Sequence, residues 1–334
     1  MKKILAFMLS FILFASCTAA GTGTAEGKTV QVVTTIFPLY DWVREIAGDG
    51  ADHVRLTLLL DNGVDLHSYQ PTAKDIMTIS NADLFVYVGG ESDEWVEDVL
   101  NTAVNSNLKA VNLLEVLGDD VKAEEIVEGM EHEHDHEHGD HDGEEEHDHE
   151  EHEYEDEKDE HVWLSLRNAR KLTSAIADAL AETDPAFAET YRKNATTYRE
   201  KLDALDARYT EMVGQAAFKT VLFGDRFPFR YLADDYGLTY FAAFSGCAAE
   251  SEASFETVIF LAQKTDELGL PAVLTIEHPK TRIAETIVEN TAGKNLKILS
   301  MDSMQGTTAA DIEAGATYLS IMEANYEVLK EALN

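Results

Sequence analysis

Basic residues are scarce in this sequence. Of its 334 residues, 26 are Lys or Arg and 63 are Asp or Glu, which gives a formal net charge of −37. Because proteins hold nucleic-acid phosphates mainly with Lys and Arg, this balance argues against nucleic acid as a partner. The acidic excess is uneven, since residues 131–160 contain 18 Asp and Glu and a single Lys. At about 150 residues per domain, the length predicts two domains.

Cysteine and long apolar runs are also nearly absent. The chain has two cysteines, Cys17 and Cys247, and its N-terminal apolar run, Ile4–Phe14, has eleven residues. That run is too short for a transmembrane helix, which needs about 20 apolar residues. With Lys2 and Lys3 before it and small residues after it, the run is typical of an export signal. The sequence therefore predicts an exported protein.

The end of this signal resembles a bacterial lipobox. It reads Phe14-Ala15-Ser16-Cys17, with Phe in place of the usual Leu. The resemblance implies lipidation of Cys17; the alternative is ordinary cleavage nearby, with an incidental cysteine. We predict a lipoprotein signal at residues 1–17, a membrane anchor on Cys17, and a flexible Gly- and Thr-rich tether at 18–28. An acylated Cys17 leaves Cys247 without a partner for an intrachain disulfide.

From Val30 onward, short β-rich runs alternate with amphipathic segments. This pattern predicts an α/β protein with mainly parallel sheets. We expect two Rossmann-like lobes, at 29–164 and 215–334, joined by a helical connector at 165–214. Ligands of open α/β sheets bind beyond the carboxyl ends of the strands. Two facing lobes therefore predict one cleft between them.

Two helices of the predicted fold are long. Apolar residues recur at steps of three and four from Phe187 to Met212, and the helix predicted there extends from Pro185 to Gly214. It would measure about 43 Å, long enough to reach across both lobes. A final helix is predicted from Asp311 to Ala332.

Histidines are the candidate metal ligands. Outside residues 131–160 there are four of them: His53, His67, His161 and His278. His67 lies between a predicted strand and a helix start, His161 directly precedes a helix, and His278 follows Glu277 at a strand end. His53 precedes its strand, at the end opposite the predicted cleft. Neutral imidazoles combined with a carboxylate suit Zn²⁺, so these strand ends predict a zinc site.

The acidic tract 131–160 holds the other eight histidines: His132, His134, His136, His138, His141, His147, His149 and His152. It has no apolar periodicity, so we predict a disordered loop inserted in the N-terminal lobe. The segment His132–His136 formally matches the zinc-protease pattern H-E-x-x-H, but no apolar face would fold the helix that this pattern requires. The alternatives are a solubilising loop and a weak, multivalent metal collector, and we favour the collector.

Several segments resemble the substrate-binding lipoproteins of zinc and manganese ABC importers (cluster A-I). They are Thr34-Thr-Ile-Phe-Pro-Leu-Tyr40, Gly63-Val-Asp-Leu-His-Ser-Tyr-Gln-Pro-Thr72, Asp83-Leu-Phe-Val-Tyr-Val-Gly-Gly90, His161-Val-Trp-Leu164, Tyr231-Leu-Ala-Asp-Asp-Tyr-Gly237 and Ile276-Glu-His-Pro279. The His-rich tract resembles the zinc-specific branch. The resemblance implies two lobes joined by one long helix, a single metal between them, and delivery to a membrane permease. We expect a monomer that binds Zn²⁺ as its transported ligand.

The resemblance also implies a ligand set. His67 matches the first family ligand, His161 the second, and Glu277 the fourth, a carboxylate. The third family position, His or Glu, is occupied here by Arg226, a cation that cannot bind a metal. His278 or Asp225 could replace the missing ligand. We favour His278, with Asp225 neutralising Arg226.

Other functions are compatible with some of the same residues. A carboxylate-rich site would favour Mn²⁺ or Fe²⁺ on the same scaffold, and a surface adhesin or a metal-storage protein needs no permease. A zinc hydrolase would require an open coordination position and a general base. Cys247 is a poorer candidate for a nucleophile or a thiolate ligand, because it has no histidine near it in sequence and single cysteines are commonly small inert hydrophobes. Because no catalytic constellation emerges, we predict that the protein is not an enzyme.

Overall fold

The computed structural model describes residues 29–48, 51–130, 157–248, 252–277 and 282–334. The predicted signal with Cys17, the tether 18–28, the eight histidines of the acidic tract and His278 lie outside the described residues. The strands are β1 Val30–Thr34, β2 Val54–Leu58, β3 Leu84–Tyr87, β4 Lys109–Asn112, β5 Thr220–Phe227, β6 Thr239–Ser245, β7 Ala272–Ile276 and β8 Lys297–Met301.

The helices flank these strands. They are α1 Phe37–Ala47, α2 Ala73–Ser80, α3 Trp95–Asn101, α4 Leu113–Leu117, α5 Leu166–Thr183, α6 Ala188–Gln215, α7 Arg230–Tyr236, α8 Phe255–Leu268, α9 Arg282–Asn290, α10 Ala309–Glu313 and α11 Tyr318–Ala332. Among the helices in the described part of the chain, none is long and apolar enough to cross a membrane.

The strands form two separate four-stranded sheets, in the orders β2-β1-β3-β4 and β6-β5-β7-β8. Every strand pair is parallel; Val32, for example, pairs with Leu56 on one side and Leu84 on the other. We call the part built on the first sheet the N-terminal lobe and the part built on the second sheet the C-terminal lobe. The predicted α/β class with two parallel-sheet lobes is confirmed.

Side-chain caps explain where two of the helices start. Thr72 and Asp75 form a reciprocal capping box at α2, and the Ser165 hydroxyl accepts a hydrogen bond from the Asn168 amide at α5. Each cap satisfies a backbone N–H group that has no partner within its helix. Both helices therefore begin directly after a residue type that favours a helix N-cap.

The final helix differs from the prediction, because two helices replace the single one expected from Asp311 to Ala332. The break falls at Gly315, whose φ of 99° lies in the left-handed region that glycine adopts without strain. Thr317 then starts α11, because its hydroxyl accepts a hydrogen bond from the Ser320 amide at 3.0 Å. An apolar stripe alone did not reveal this new helix start.

The connecting helix is α6, whose 28 residues measure about 42 Å. It begins at Ala188, three residues later than predicted, because Pro185–Phe187 form a tighter 3₁₀ turn. α6 packs against α1 and α5 of the N-terminal lobe and against α7 and α11 of the C-terminal lobe. At its C-terminal half, the Tyr209 hydroxyl donates to the Met322 carbonyl at 2.6 Å. The helix therefore spans both lobes.

The two lobes also touch directly through buried side chains. The Trp163 indole donates to the Ser303 carbonyl at 2.9 Å, and the Tyr318 hydroxyl donates to the Trp163 carbonyl at 2.7 Å. The buried Asp41 carboxylate of α1 accepts a hydrogen bond from the Tyr318 amide at 2.7 Å, at the start of α11. These contacts hold the lobes together beside the cleft into which the strands point.

Candidate metal centre

The candidate site lies where strands of both sheets end. In the N-terminal lobe, His67 follows β2, and His161 directly precedes the turn that leads into α5. In the C-terminal lobe, Cys247 follows β6 and Glu277 follows β7. The carboxyl ends of parallel strands share one edge of a sheet. Each lobe therefore brings the loops that follow its strands to that edge.

His67 is held in a short turn, Leu66–Ser68. The Asp65 carboxylate caps this turn by accepting a hydrogen bond from the His67 amide at 3.0 Å. The ring Nδ1 lies 2.8 Å from the Ser92 hydroxyl and 3.5 Å from a carboxylate oxygen of Glu160. A nearby carboxylate favours a proton on Nδ1, which leaves the lone pair on Nε2.

His161 is fully buried and is oriented in the same way. One oxygen of Asp159 accepts hydrogen bonds from both the His161 amide, at 2.9 Å, and the ring Nδ1, at 3.0 Å. A carboxylate oxygen can only accept, so Nδ1 carries the proton and Nε2 keeps its lone pair. Gly246 packs against this ring, and a Cβ there would lie 3.0 Å from His161 Cε1. A larger residue at 246 would press on the imidazole.

The two Nε2 atoms face each other at 3.2 Å. With both Nδ1 atoms protonated, both Nε2 atoms present a lone pair, and one metal ion between them would accept both. Tetrahedral Zn²⁺ with Zn–N bonds of about 2.0–2.1 Å places its nitrogen ligands about 3.3 Å apart. The observed separation therefore matches two ligands of a single zinc ion.

Burial, reinforced by the neighbouring His161, lowers the pKa of His67 to about 4. Its ring is thus neutral at pH 7. A neutral imidazole is the form that binds a metal, so His67 needs no deprotonation at neutral pH.

Cys247 joins the two histidines. One ligating atom each from His67, His161 and Cys247 lie within 4.8 Å of one another, and this is the one group of three or more metal-binding side chains found among the described residues. The Cys247 amide donates to a carboxylate oxygen of Glu124 at 3.0 Å. Burial, and then the nearby carboxylates of Glu124 and Asp159, raise the pKa of the Cys247 thiol in the absence of a metal.

Glu277 does not belong to this group. Its carboxylate accepts hydrogen bonds from the Ser303 amide at 2.6 Å and from the Ser303 hydroxyl at 2.5 Å. The Gly306 amide lies 3.4 Å from one of the same oxygens. The loop after β8 thus holds Glu277, whose role as a ligand stays a prediction.

The Arg226 guanidinium forms an ion pair with the N-terminal lobe. Its guanidinium pairs with Asp65 at 2.6 Å, across the cleft, rather than with Asp225 as expected from the sequence. Asp225 instead accepts hydrogen bonds from the Arg226 amide at 2.9 Å and the Ile276 amide at 3.4 Å. The prediction that Asp225 neutralises Arg226 is wrong because neighbours in sequence need not pair: β5 carries the Arg226 side chain to the other lobe. Asp225 does not join the described group either.

The comparisons with known proteins bear on this site. Residues 32–332 match the model of one protein family, "Zinc-uptake complex component A periplasmic". The chain belongs to this family. The zinc-binding lipoprotein AdcA of Streptococcus pneumoniae is 34% identical over 331 residues, which cover 99% of this chain and 61% of that protein. The chain thus spans less than two thirds of the curated relatives of this type.

A second relative has nearly the same length. The high-affinity zinc uptake system protein ZnuA of Bacillus subtilis is 30% identical over 97% of this chain and 94% of its own. Among solved structures, the Zn(II)-bound ZnuA-like domain of the pneumococcal AdcA has a TM-score of 0.69 and 30% identity, covering 91% of this chain and 99% of that one. These findings confirm the resemblance seen in the sequence.

The sequence ranked Cys247 below the other candidate ligands, although the structure places it beside His67 and His161, and it correctly set His53 apart. Cys247 is 180 positions from His67, so spacing could not join them; its place directly after a strand was the available signal. His53 stacks on Phe187 with ring centroids 3.6 Å apart, and its Nε2 lies 3.0 Å from the Tyr191 hydroxyl. It belongs to the packing around α6.

Proposed function

We propose that this chain captures Zn²⁺ outside the cytoplasm and delivers it to the permease of an ABC importer. The observation that supports the proposal most strongly is the 3.2 Å distance between His67 Nε2 and His161 Nε2. The Nδ1 atom of each ring is oriented by a hydrogen-bond partner, Ser92 for His67 and Asp159 for His161. Relatives named as zinc-binding and zinc-uptake proteins support zinc as the metal. Binding and release, rather than catalysis, suit a site without a catalytic constellation.

Metal capture requires a local opening. An amide atom of Gln305 lies 3.0 Å from His161 Nε2, so this side chain must move aside before the nitrogen can bind zinc. Gln305 lies in the loop after β8 and is itself buried. The Arg226–Asp65 ion pair bridges the same cleft. With α6 as a stiff connector, loading and release proceed through small lobe tilts and motion of these loops.

The rest of the ligand shell is proposed from the family pattern. Glu277 supplies a carboxylate after leaving Ser303, and His278 supplies a further imidazole, with Asp225 as the alternative. A shell in which imidazoles outnumber carboxylates favours Zn²⁺ over Mn²⁺ or Fe²⁺.

We also propose roles for the segments outside the metal centre. Residues 1–17 are a lipoprotein signal, Cys17 carries the lipid that anchors the chain to the membrane, and 18–28 form the tether. The lobes are 29–164 and 215–334, with 165–214 as connector, and the protein acts as a monomer.

The His-rich tract serves as a metal collector. The segments that flank residues 131–156 pair with each other, because the Glu124 amide donates to the Glu157 carbonyl at 2.6 Å and the Asp159 amide donates to the Lys122 carbonyl at 2.9 Å. The second of these segments continues directly into His161, so the tract is tethered to a residue of the metal centre. Because this pairing lies outside 131–153, deleting those residues leaves the base of the tract intact.

A zinc titration tests the proposed function. The purified chain should bind one Zn²⁺ tightly, in the cleft, and several weakly, because the tract contains eight histidines. Deletion of 131–153 should remove the weak class and leave the tight one, as read by calorimetry against a competing chelator. If the deletion removes tight binding as well, the tract is the primary site and the cleft is not.

A further inference from the structure

The two imidazoles need another strong ligand, and Arg226 does not provide it. Its guanidinium is engaged by Asp65 at 2.6 Å and approaches the Ala248 carbonyl at 3.4 Å. The guanidinium is thus paired with a carboxylate, and it has no lone pair with which to bind a metal. A sequence that places arginine at the family's third position must find its third ligand on another element.

The segment after β6 supplies a candidate at the right place. We infer that the thiolate of Cys247, in place of the His278 imidazole, is a direct protein ligand of the captured Zn²⁺, beside His67 and His161. This inference rests on the proposed function and names a donor that the family pattern does not. Its basis is the single group of ligating atoms within 4.8 Å of one another, contributed by both lobes.

Only a small movement brings the ligating atoms of His67, His161 and Cys247 to zinc-binding distances. With Zn–S of about 2.3 Å and Zn–N of about 2.0–2.1 Å, a tetrahedral ion holds sulfur and nitrogen about 3.6 Å apart. Atoms already within 4.8 Å reach that spacing by about 1 Å of side-chain movement. The resulting ligand set joins Cys247 of the C-terminal lobe to the two histidines of the N-terminal lobe.

The surroundings suit a divalent cation bound to sulfur. Carboxylates of Glu124, Asp159 and Glu160 act electrostatically on the Cys247 sulfur. Their negative potential attracts the cation, and coordination replaces the S–H proton, which is released to solvent. A soft thiolate favours Zn²⁺ over Mn²⁺, so Cys247 also contributes to metal selection.

Cobalt substitution tests this inference. The full chain carrying Cys17→Ser, in which Cys247 is the sole thiol, is loaded with one equivalent of Co²⁺ and examined by absorption spectroscopy. We expect a thiolate-to-cobalt charge-transfer band in the near ultraviolet, lost on addition of Zn²⁺. The matched control, Cys17→Ser with Cys247→Ser, should lack the band, because imidazoles and carboxylates do not produce it.

Zinc affinity and thiol reactivity complete the test. Cys247→Ser should weaken the tight Zn²⁺ site by about 100-fold or more, and Zn²⁺ should protect the wild-type thiol from alkylation. One tightly bound metal without a charge-transfer band overturns the thiolate assignment and leaves the receptor proposal standing. Absence of any tight 1:1 site overturns the receptor proposal itself. The band is measured with Cys247 intact, so a poorly folded serine variant does not decide the matter.

Discussion

Replacing His161 by alanine is expected to weaken tight Zn²⁺ binding by about 100-fold or more, which is about 2.7 kcal/mol or more of binding free energy. The reason is that His161 is fully buried, is oriented by Asp159, and supplies one of the two nitrogens that converge at 3.2 Å. Competition with a chelator of known affinity measures the loss in the protein lacking 131–153, where tract histidines do not interfere.

His53→Ala is the matched control. It also removes one imidazole, but from the packing beside Phe187 and Tyr191, so it should lower stability without changing zinc affinity. Circular dichroism of both metal-free variants checks that they fold. Retention of wild-type affinity by a folded His161→Ala protein would show that the metal binds elsewhere.

The metal-free protein is expected to lose stability as the pH falls from about 6.5 to 4, by up to about 3 kcal/mol through His67 alone. Burial holds the pKa of His67 at about 4 in the folded protein, whereas the unfolded chain takes up the proton near pH 6.5. Between these values the unfolded state binds more protons, so the free energy of unfolding falls with falling pH. Urea denaturation of wild type and His67→Gln, in chelator, measures the difference.

The variant Asp93→Asn tests the sign of the pH dependence of stability. Burial raises the pKa of Asp93 to about 7, so the folded state binds the extra proton between about pH 4 and 7. Its contribution to stability therefore falls as the pH rises, opposite to that of His67. Asp93→Asn should shift the pH profile in the opposite sense to His67→Gln. Parallel profiles of wild type and His67→Gln would mean that His67 titrates normally and is not desolvated.

Much of the fold could be predicted because its signals are local. The capping residues Thr72 and Ser165 mark helix starts through hydrogen bonds within one turn, and alternation of apolar runs with amphipathic segments specifies parallel sheets. The break at Gly315 was missed because the apolar stripe continues on both sides of it. The start of α6 was placed early because a proline suits both a helix and a 3₁₀ turn.

The site could be predicted only in part. His67 and His161 were recognised from their positions at element junctions and from family motifs, and the structure brings their rings together. The Arg226–Asp65 pair and the approach of Cys247 depend on how the lobes face each other. These contacts join residues that are 86 to 180 positions apart and leave no periodicity in the sequence, so the two features appear only once the chain is folded.

We propose that one metal ion lies between His67 and His161. Crystals of the zinc-loaded protein, measured on both sides of the zinc absorption edge, test this position most directly. We expect one strong anomalous peak about 2.0–2.1 Å from the Nε2 atoms of both residues. A strongest peak that contacts neither imidazole, or that lies within 131–160, would show that the metal binds elsewhere.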